Sequence, residues 1–279
     1  MGSFKSAEIV STKEGRQYHI GLKPGELAPY VLLCGDPARV RKVADHFDQA
    51  SDPIVHREYV TVTGKYKGFP LSVMATGMGP DNTEIALVEM NQIVKNPTFL
   101  RIGTCGGLQK GMELGDLVIS SGAVRLENTS TYFVHEGYPA VAHHEVVLAL
   151  LEAVQKKGFR YHVGLTATAP GFYGAQSRDV PGFPPRNKEL PQQLERMNVI
   201  NFEMETSTLL ILSQLVGVRA GTVCTMLANR HLNQFIDEEN LKKAEATCIE
   251  TGLEAMAILH QMDRKKGNQK YWLPSMGIK

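Results

Sequence analysis

The sequence predicts a single α/β domain with a mixed central sheet flanked by helices on both sides. Short β-rich apolar runs alternate with amphipathic stretches along most of the chain, and such interleaving builds a sheet covered on either face. The 279 residues suffice for one substantial core. With 43% of residues hydrophobic and 21% charged, the balance is that of an ordinary globular chain.

The elements follow in order. A strand is expected at 30–34, where Tyr-Val-Leu-Leu-Cys is apolar throughout, and a helix over 38–47, which Asp36 can cap and Pro37 can open. Strands at 58–63 and 70–75 lead to a helix over 81–94. Strands at 98–103 and 117–124 precede a helix over 143–157 that Gly158 closes. Strands at 162–168 and 199–202 are followed by a helix over 204–216, closed by Gly217, then by a strand at 218–224 and a helix over 239–261. No internal repeat is present. Between 170 and 191, five prolines and three glycines with few periodic apolar residues predict a long surface excursion able to cover a pocket. The division expected is a polar arm over 1–17, the domain over 18–262 and a polar tail over 263–279. The tail holds the only tryptophan, Trp272, and is expected to fray.

Thirty basic residues against 29 acidic ones leave a formal charge of +1, which argues against a nucleic-acid or membrane surface and for a small-molecule partner. The polar start and the absence of an apolar run near 18 residues lead to an expected cytoplasmic location. Cys34, Cys105, Cys224 and Cys248 lack any CxxC spacing, so neither a zinc site nor a disulfide framework is expected. Met1-Gly2-Ser3 with Ser6 fits a loose myristoylation pattern, but one acyl chain anchors only marginally. Asn128-Thr129-Ser130 is a glycosylation sequon by pattern and reads as a surface loop.

Several segments could carry chemistry. In Leu32-Leu33-Cys34-Gly35-Asp36-Pro37-Ala38-Arg39 a buried strand runs through a glycine turn into a helix start beside an arginine. Such a start suits an anion, although it equally describes a capped helix with a solvated Arg39. Arg101 interrupts an apolar strand and needs an anionic partner, either a ligand or an internal glutamate. Glu203 and Glu205 stand two apart where a strand turns into a helix, so they can point together at substrate hydroxyls or offset the helix dipole. Arg57, in His56-Arg57-Glu58, and His19 are unremarkable alone. Gly77-Met78-Gly79 lacks the third glycine of a dinucleotide fingerprint, Asn82 standing there, and neither a P-loop nor a GxSxG elbow occurs.

Taken in succession, GDPARV at 35–40, HRE at 56–58, ATGMG at 75–79, FLRIGT at 99–104, FYGAQSR at 172–178, FEMET at 202–206 and ANR at 228–230 resemble the nucleoside phosphorylase family over 18 to about 261. The resemblance implies a barrel-like central sheet and reversible phosphorolysis of uridine to uracil and ribose 1-phosphate. It implies that Gly35, Arg39, Arg101 and Thr104 hold phosphate, with Arg57 donated by a neighbouring subunit. It places Met204, Glu205 and Glu203 at the ribose, with His19 reaching in from the partner chain. Phe172, Gln176, Arg178 and Arg230 are placed at the uracil, and Arg178, Glu205 and Arg101 carry the catalytic work. Inorganic phosphate is a co-substrate by this reading, and no organic cofactor or catalytic metal is expected. A structural potassium ion is implied at the glutamate matching Glu58, although Asn82 stands where a serine is usual. The catalytic unit implied is a homodimer, assembled into a homohexamer. The alternatives are a purine nucleoside phosphorylase or nucleosidase on the same fold and a non-catalytic nucleoside-binding relative. Purine-cleaving members carry an aspartate near the segment 224–230, whereas no acid occurs here between Val218 and Phe235.

Overall fold

A computed structural model describes residues 6–277; the myristoylation pattern over 1–6 lies almost wholly outside them. The elements are β1 (Tyr30–Cys34), α1 (Pro37–Ala44), β2 (Gln49–Ala50), β3 (Ile54–His56), β4 (Tyr59–Tyr66), β5 (Phe69–Ala75), α2 (Pro80–Ile93), β6 (Thr98–Gly107), β7 (Leu117–Arg125) and β8 (Ala140–Val141). There follow α3 (His144–Lys157), β9 (Tyr161–Thr168), α4 (Leu190–Arg196), β10 (Val199–Glu203), α5 (Thr206–Leu215), β11 (Arg219–Asn229), β12 (Gln234–Phe235) and α6 (Glu238–Lys266).

Every strand belongs to one mixed sheet, in which β6, β10, β9, β7 and β11 close on themselves because β11 pairs with both β7 and β6. This closed five-stranded ring is the barrel-like centre, and β1, β5 and β4 extend from β6 as an open wing. Strand β1 lies parallel to both of its neighbours, β5 and β6, and all five of its residues are buried, the reason its sequence is continuously apolar rather than alternating. One large core lies under α1, α3 and α6 and a second under α2 and α5, with smaller clusters around Phe202 and around Met226, so helices cover both sides. No helix among the described residues is long and apolar enough to cross a membrane. All four cysteines are free and buried.

Two readings from the sequence are corrected. The segment 263–279 does not fray along its first ten residues: α6 runs to Lys266, Trp272 is buried, and the Trp272 N–H donates to Glu145 Oε1 at 2.8 Å. Arg219 bridges Asp263 and Glu145 at 2.6 and 2.7 Å. The partners on α3 and β11 are far away in sequence, so a polar composition concealed a packed segment. The sequon is not a surface loop throughout. It enters a 3₁₀ turn over Thr129–Tyr132 in which Ser130 is fully buried, its hydroxyl donating to Glu127. Within 170–191 and just beyond, the chain also forms a 3₁₀ turn over Gly174–Gln176 and the short helix α4, too brief to show a period.

Candidate active site

A cavity of about 510 Å³ opens where β1, β6, β10 and β11 end, with the 172–178 segment forming one wall. At one end lies the start of α1. The Asp36 carboxylate caps it by accepting the Ala38 N–H at 2.9 Å, and Pro37 supplies a first-turn residue with no N–H to satisfy. Gly35, Arg39, Arg101 and Thr104 all line this end. Arg39 is not solvated: its Nε donates to Glu245 on α6 at 2.8 Å and its Nη1 to the Ile102 carbonyl at 3.2 Å. Lys42 contacts the same carboxylate. Burial opposes ionisation of Glu245, but Lys42 and Arg39 outweigh it and hold the carboxyl below its usual range.

Arg101 is 6% exposed and carries the partners that its position in an apolar strand demands. Its Nε donates to Glu203 Oε2 at 3.1 Å, and its Nη2 contacts Glu205 Oε2. Burial works against the guanidinium charge, yet Glu205 and Glu203 more than restore it. Room for this side chain depends on Gly103, where a Cβ would fall 2.8 Å from the Arg101 guanidinium and 2.8 Å from Cys224 Sγ. The two carboxylates thus converge, as their spacing suggests. They differ in what they have left to offer. The Glu203 carboxylate accepts from Thr168 Oγ1, the Arg101 Nε and the backbone N–H groups of Glu205 and Thr206. Its oxygens are taken by the protein, so it buttresses its neighbours. Glu205 accepts from the Gly79 N–H at 2.6 Å. That N–H is aimed by a backbone φ of +98°, a conformation glycine adopts without strain. Burial pushes the Glu205 carboxyl up, against the pull of Arg101. Met204, between them, lines the cavity.

The opposite end is rich in unopposed positive charge. Gln176 is 3% exposed and accepts from Arg178 Nη1 at 2.7 Å through its side-chain oxygen and from Arg230 Nη2 at 3.0 Å through its backbone carbonyl. The Arg178 guanidinium lies 3.6 Å from the centroid of the Phe172 ring, within cation–π range. Among the described residues neither Arg178 nor Arg230 has a carboxylate partner, and Arg230 Nη1 is buried without a hydrogen bond. Burial, reinforced by Arg230, brings the Arg178 guanidinium down to about 10, and burial alone lowers Arg230. An arginine so disfavoured invites an anion or a polarisable carbonyl.

His19 and Arg57 do not line the cavity of their own chain. They share a neighbouring surface. His19 Nδ1 pairs with Glu89 at 2.7 Å, His56 Nδ1 contacts the His19 carbonyl, and the exposed Arg57, at φ +54°, stacks 4.7 Å from the Tyr18 ring centroid. Glu58 does line the cavity, and its side chain and the Asn82 amide both border Gly77. The Glu58 carboxylate is an oxygen ligand of the kind a hard cation takes, but the Asn82 atom at this spot is its amide nitrogen, which donates to the Met78 carbonyl at 3.3 Å, and among the described residues no group of three or more His, Cys, Asp or Glu is gathered anywhere for a metal. Sequence reasoning missed Glu245, Thr168 and the Gly79 N–H. The glycine pair around Met78 signalled the last of these, whereas a glutamate in mid-helix and a threonine in a strand carry no such signal.

A parallel-to-mixed barrel whose strand ends gather arginines, a glutamate pair and a glycine-flanked helix start defines the class. Residues 29–259 match the phosphorylase superfamily, and the chain belongs to it. It is 46% identical to the uridine phosphorylase of Thermococcus kodakarensis over 98% of each chain. It is 36% identical to the uridine phosphorylase of Escherichia coli over 85% of this chain and 96% of that one. The solved structure of a uridine phosphorylase from Vibrio fischeri superposes with a TM-score of 0.78 at 26% identity, covering 87% of this chain and 97% of that one.

Proposed function

We infer that the chain is a pentosyltransferase that splits uridine reversibly with inorganic phosphate, giving uracil and ribose 1-phosphate. The observation that carries this reading is the Gln176–Arg178 pair at one end of the cavity, held together at 2.7 Å with no carboxylate to neutralise it. Uracil presents a C=O, N–H, C=O edge, which an amide and a guanidinium satisfy between them. As the glycosidic bond breaks, its electron pair leaves with the base and the ribose gains oxocarbenium character. Arg178 meets charge that develops mainly in the transition state, where stabilisation accelerates the reaction. A phosphate oxygen forms the new bond to C1′ from the opposite face, gripped at Gly35, Arg39, Arg101 and Thr104 by charge-assisted bonds. Glu205 receives the ribose hydroxyls beside Met204, Phe172 packs on the base, and Arg230, which does not line the cavity, braces Gln176 from behind through its carbonyl. In this reading phosphate is the co-substrate and the protein needs no organic cofactor, because arginines and backbone N–H groups balance the anions. The purine alternative is disfavoured by the absence of any acid between Val218 and Phe235.

The reading extends to a homodimer, and to a hexamer of three such pairs, in which His19 and Arg57 enter the partner's cavity. Their clustering on a surface outside their own cavity supports that exchange, and a cation at Glu58 belongs to the same interface. Four free, buried thiols fit the reduced cytoplasm. The test is uracil release from uridine with and without phosphate, by wild type and Arg178→Ala. Release is expected only with phosphate, and the variant is expected to lose about 100-fold or more in rate while remaining folded. Phosphate-independent release would point to a nucleosidase, and an unimpaired variant would remove the base-recognition role.

A further inference from the structure

Arg101 sits where the attacking anion and the ribose glutamate meet, and its guanidinium is held by two carboxylates, Glu205 at Nη2 and Glu203 at Nε. Its Nε is set by Glu203, whose carboxylate is fully enclosed. Glu203 in turn takes, among the described residues, its only side-chain hydroxyl from Thr168, the last residue of β9, whose Oγ1 lies 2.6 Å from Glu203 Oε1. Thr168 is fully buried. The direction of its single hydroxyl proton follows from its neighbours: the same oxygen accepts the Ser207 N–H at 2.9 Å, while both Glu203 oxygens act as acceptors, taking the Arg101 Nε and the Glu205 and Thr206 N–H groups. The proton therefore points at Glu203. Ser207 continues the chain by donating from Oγ to Glu127 at 2.7 Å, so β9, the first turn of α5 and the strand end at Glu203 are fastened through one hydroxyl.

Resting on the phosphorolysis reading above, we propose that Thr168 is a positioning residue for the reaction. Through its hydroxyl it fixes the Glu203 carboxylate and thereby the Arg101 guanidinium in the orientation that receives phosphate. It touches neither substrate. Replacing the hydroxyl by a methyl removes the shorter of the two hydrogen bonds that Glu203 Oε1 accepts, leaving only the Thr206 N–H at 3.0 Å, and leaves the Ser207 N–H without an acceptor, while side-chain shape is nearly kept.

The test is steady-state uracil release from uridine over a range of phosphate concentrations for wild type, Thr168→Val and Thr168→Ser, with thermal midpoints recorded alongside. The valine variant is expected to lose about 10- to 100-fold in kcat/KM for phosphate, with KM for uridine changing far less. The serine variant, which restores the hydroxyl but not the methyl, is expected to recover most of the rate. A purely structural role would follow the thermal midpoint instead and would not separate the two substrates. Wild-type kcat/KM for phosphate in the valine variant, or equal losses in valine and serine, would overturn the proposal. Should the valine variant fail to fold, Thr168→Ala is read in its place against the same outcomes. An inactive wild type would sink the phosphorolysis reading itself, whereas an active wild type with unaffected variants would sink only the role of Thr168.

Discussion

Two arginines of the cavity answer to different physics. Arg101 is 6% exposed between Glu203 and Glu205, and its removal leaves two buried carboxylates facing each other with no cation. Arg101→Ala is expected to cost about 3–5 kcal/mol in urea unfolding, together with the loss of activity. Arg178 is half-buried with no carboxylate to orphan, and its alanine variant is expected to unfold within about 1 kcal/mol of wild type. A comparable stability loss in both variants would mean that Arg101 is not the keystone of its carboxylate pair. The sequence made Arg101 conspicuous, since a guanidinium in Phe99-Leu100-Arg101-Ile102 must find an anion. It left open which anion, because Glu203 and Glu205 lie a hundred residues downstream and only the antiparallel pairing of β10 with β6 brings them alongside. Thr168 was illegible for a simpler reason: a threonine in Leu165-Thr166-Ala167-Thr168 is an ordinary strand residue.

At the scale of elements, regular patterns were readable and long-range fastenings were not. The fully apolar β1, the capped start of α1 and the glycine stop of α3, at φ +69°, each follow from a few adjacent residues. The end of α6 depends instead on Glu145 of α3 and Arg219 of β11, so its polar sequence looked like a tail. Glu145 is fully buried. Burial pushes its carboxyl up, but the Trp272 N–H, Lys266 and Arg219 together bring it down to about 2 from an ordinary 4.5. A carboxylate depressed on folding stabilises the native state above its unfolded value and loses that contribution as pH falls toward the folded one. Glu145→Gln is accordingly expected to be less stable than wild type by about 3 kcal/mol near neutrality. The gap should narrow below about pH 4.5 and nearly close by about pH 2. Urea titrations at pH 7, 4 and 2.5 check this, and a pH-independent gap would show that shape, not charge, accounts for the cost.

For the molecule as a whole, the decisive matter is where one active site ends and the next begins. The cavity wall of a single chain supplies Gln176, Arg178, Arg101 and Glu205, whereas His19 and Arg57 stand on an outer surface, the latter exposed beside Tyr18. If each chain lends that surface to a twofold-related copy, the exchange is reciprocal, because a closed dimer uses the same patch on both subunits. Arg57→Ala and Arg178→Ala then damage different chains of the same site. Each variant alone has both sites defective. In a mixed dimer one site collects both lesions and the other none. Co-expression of the two variants in equal amounts should assemble half the dimers as mixed pairs, each with one intact site, restoring roughly a quarter of wild-type activity. Mixing the purified variants without exchange of subunits should restore nothing. Activity no greater than the sum of the separate variants after co-expression would place Arg57 outside the site of any neighbour and make the cavity complete within one chain.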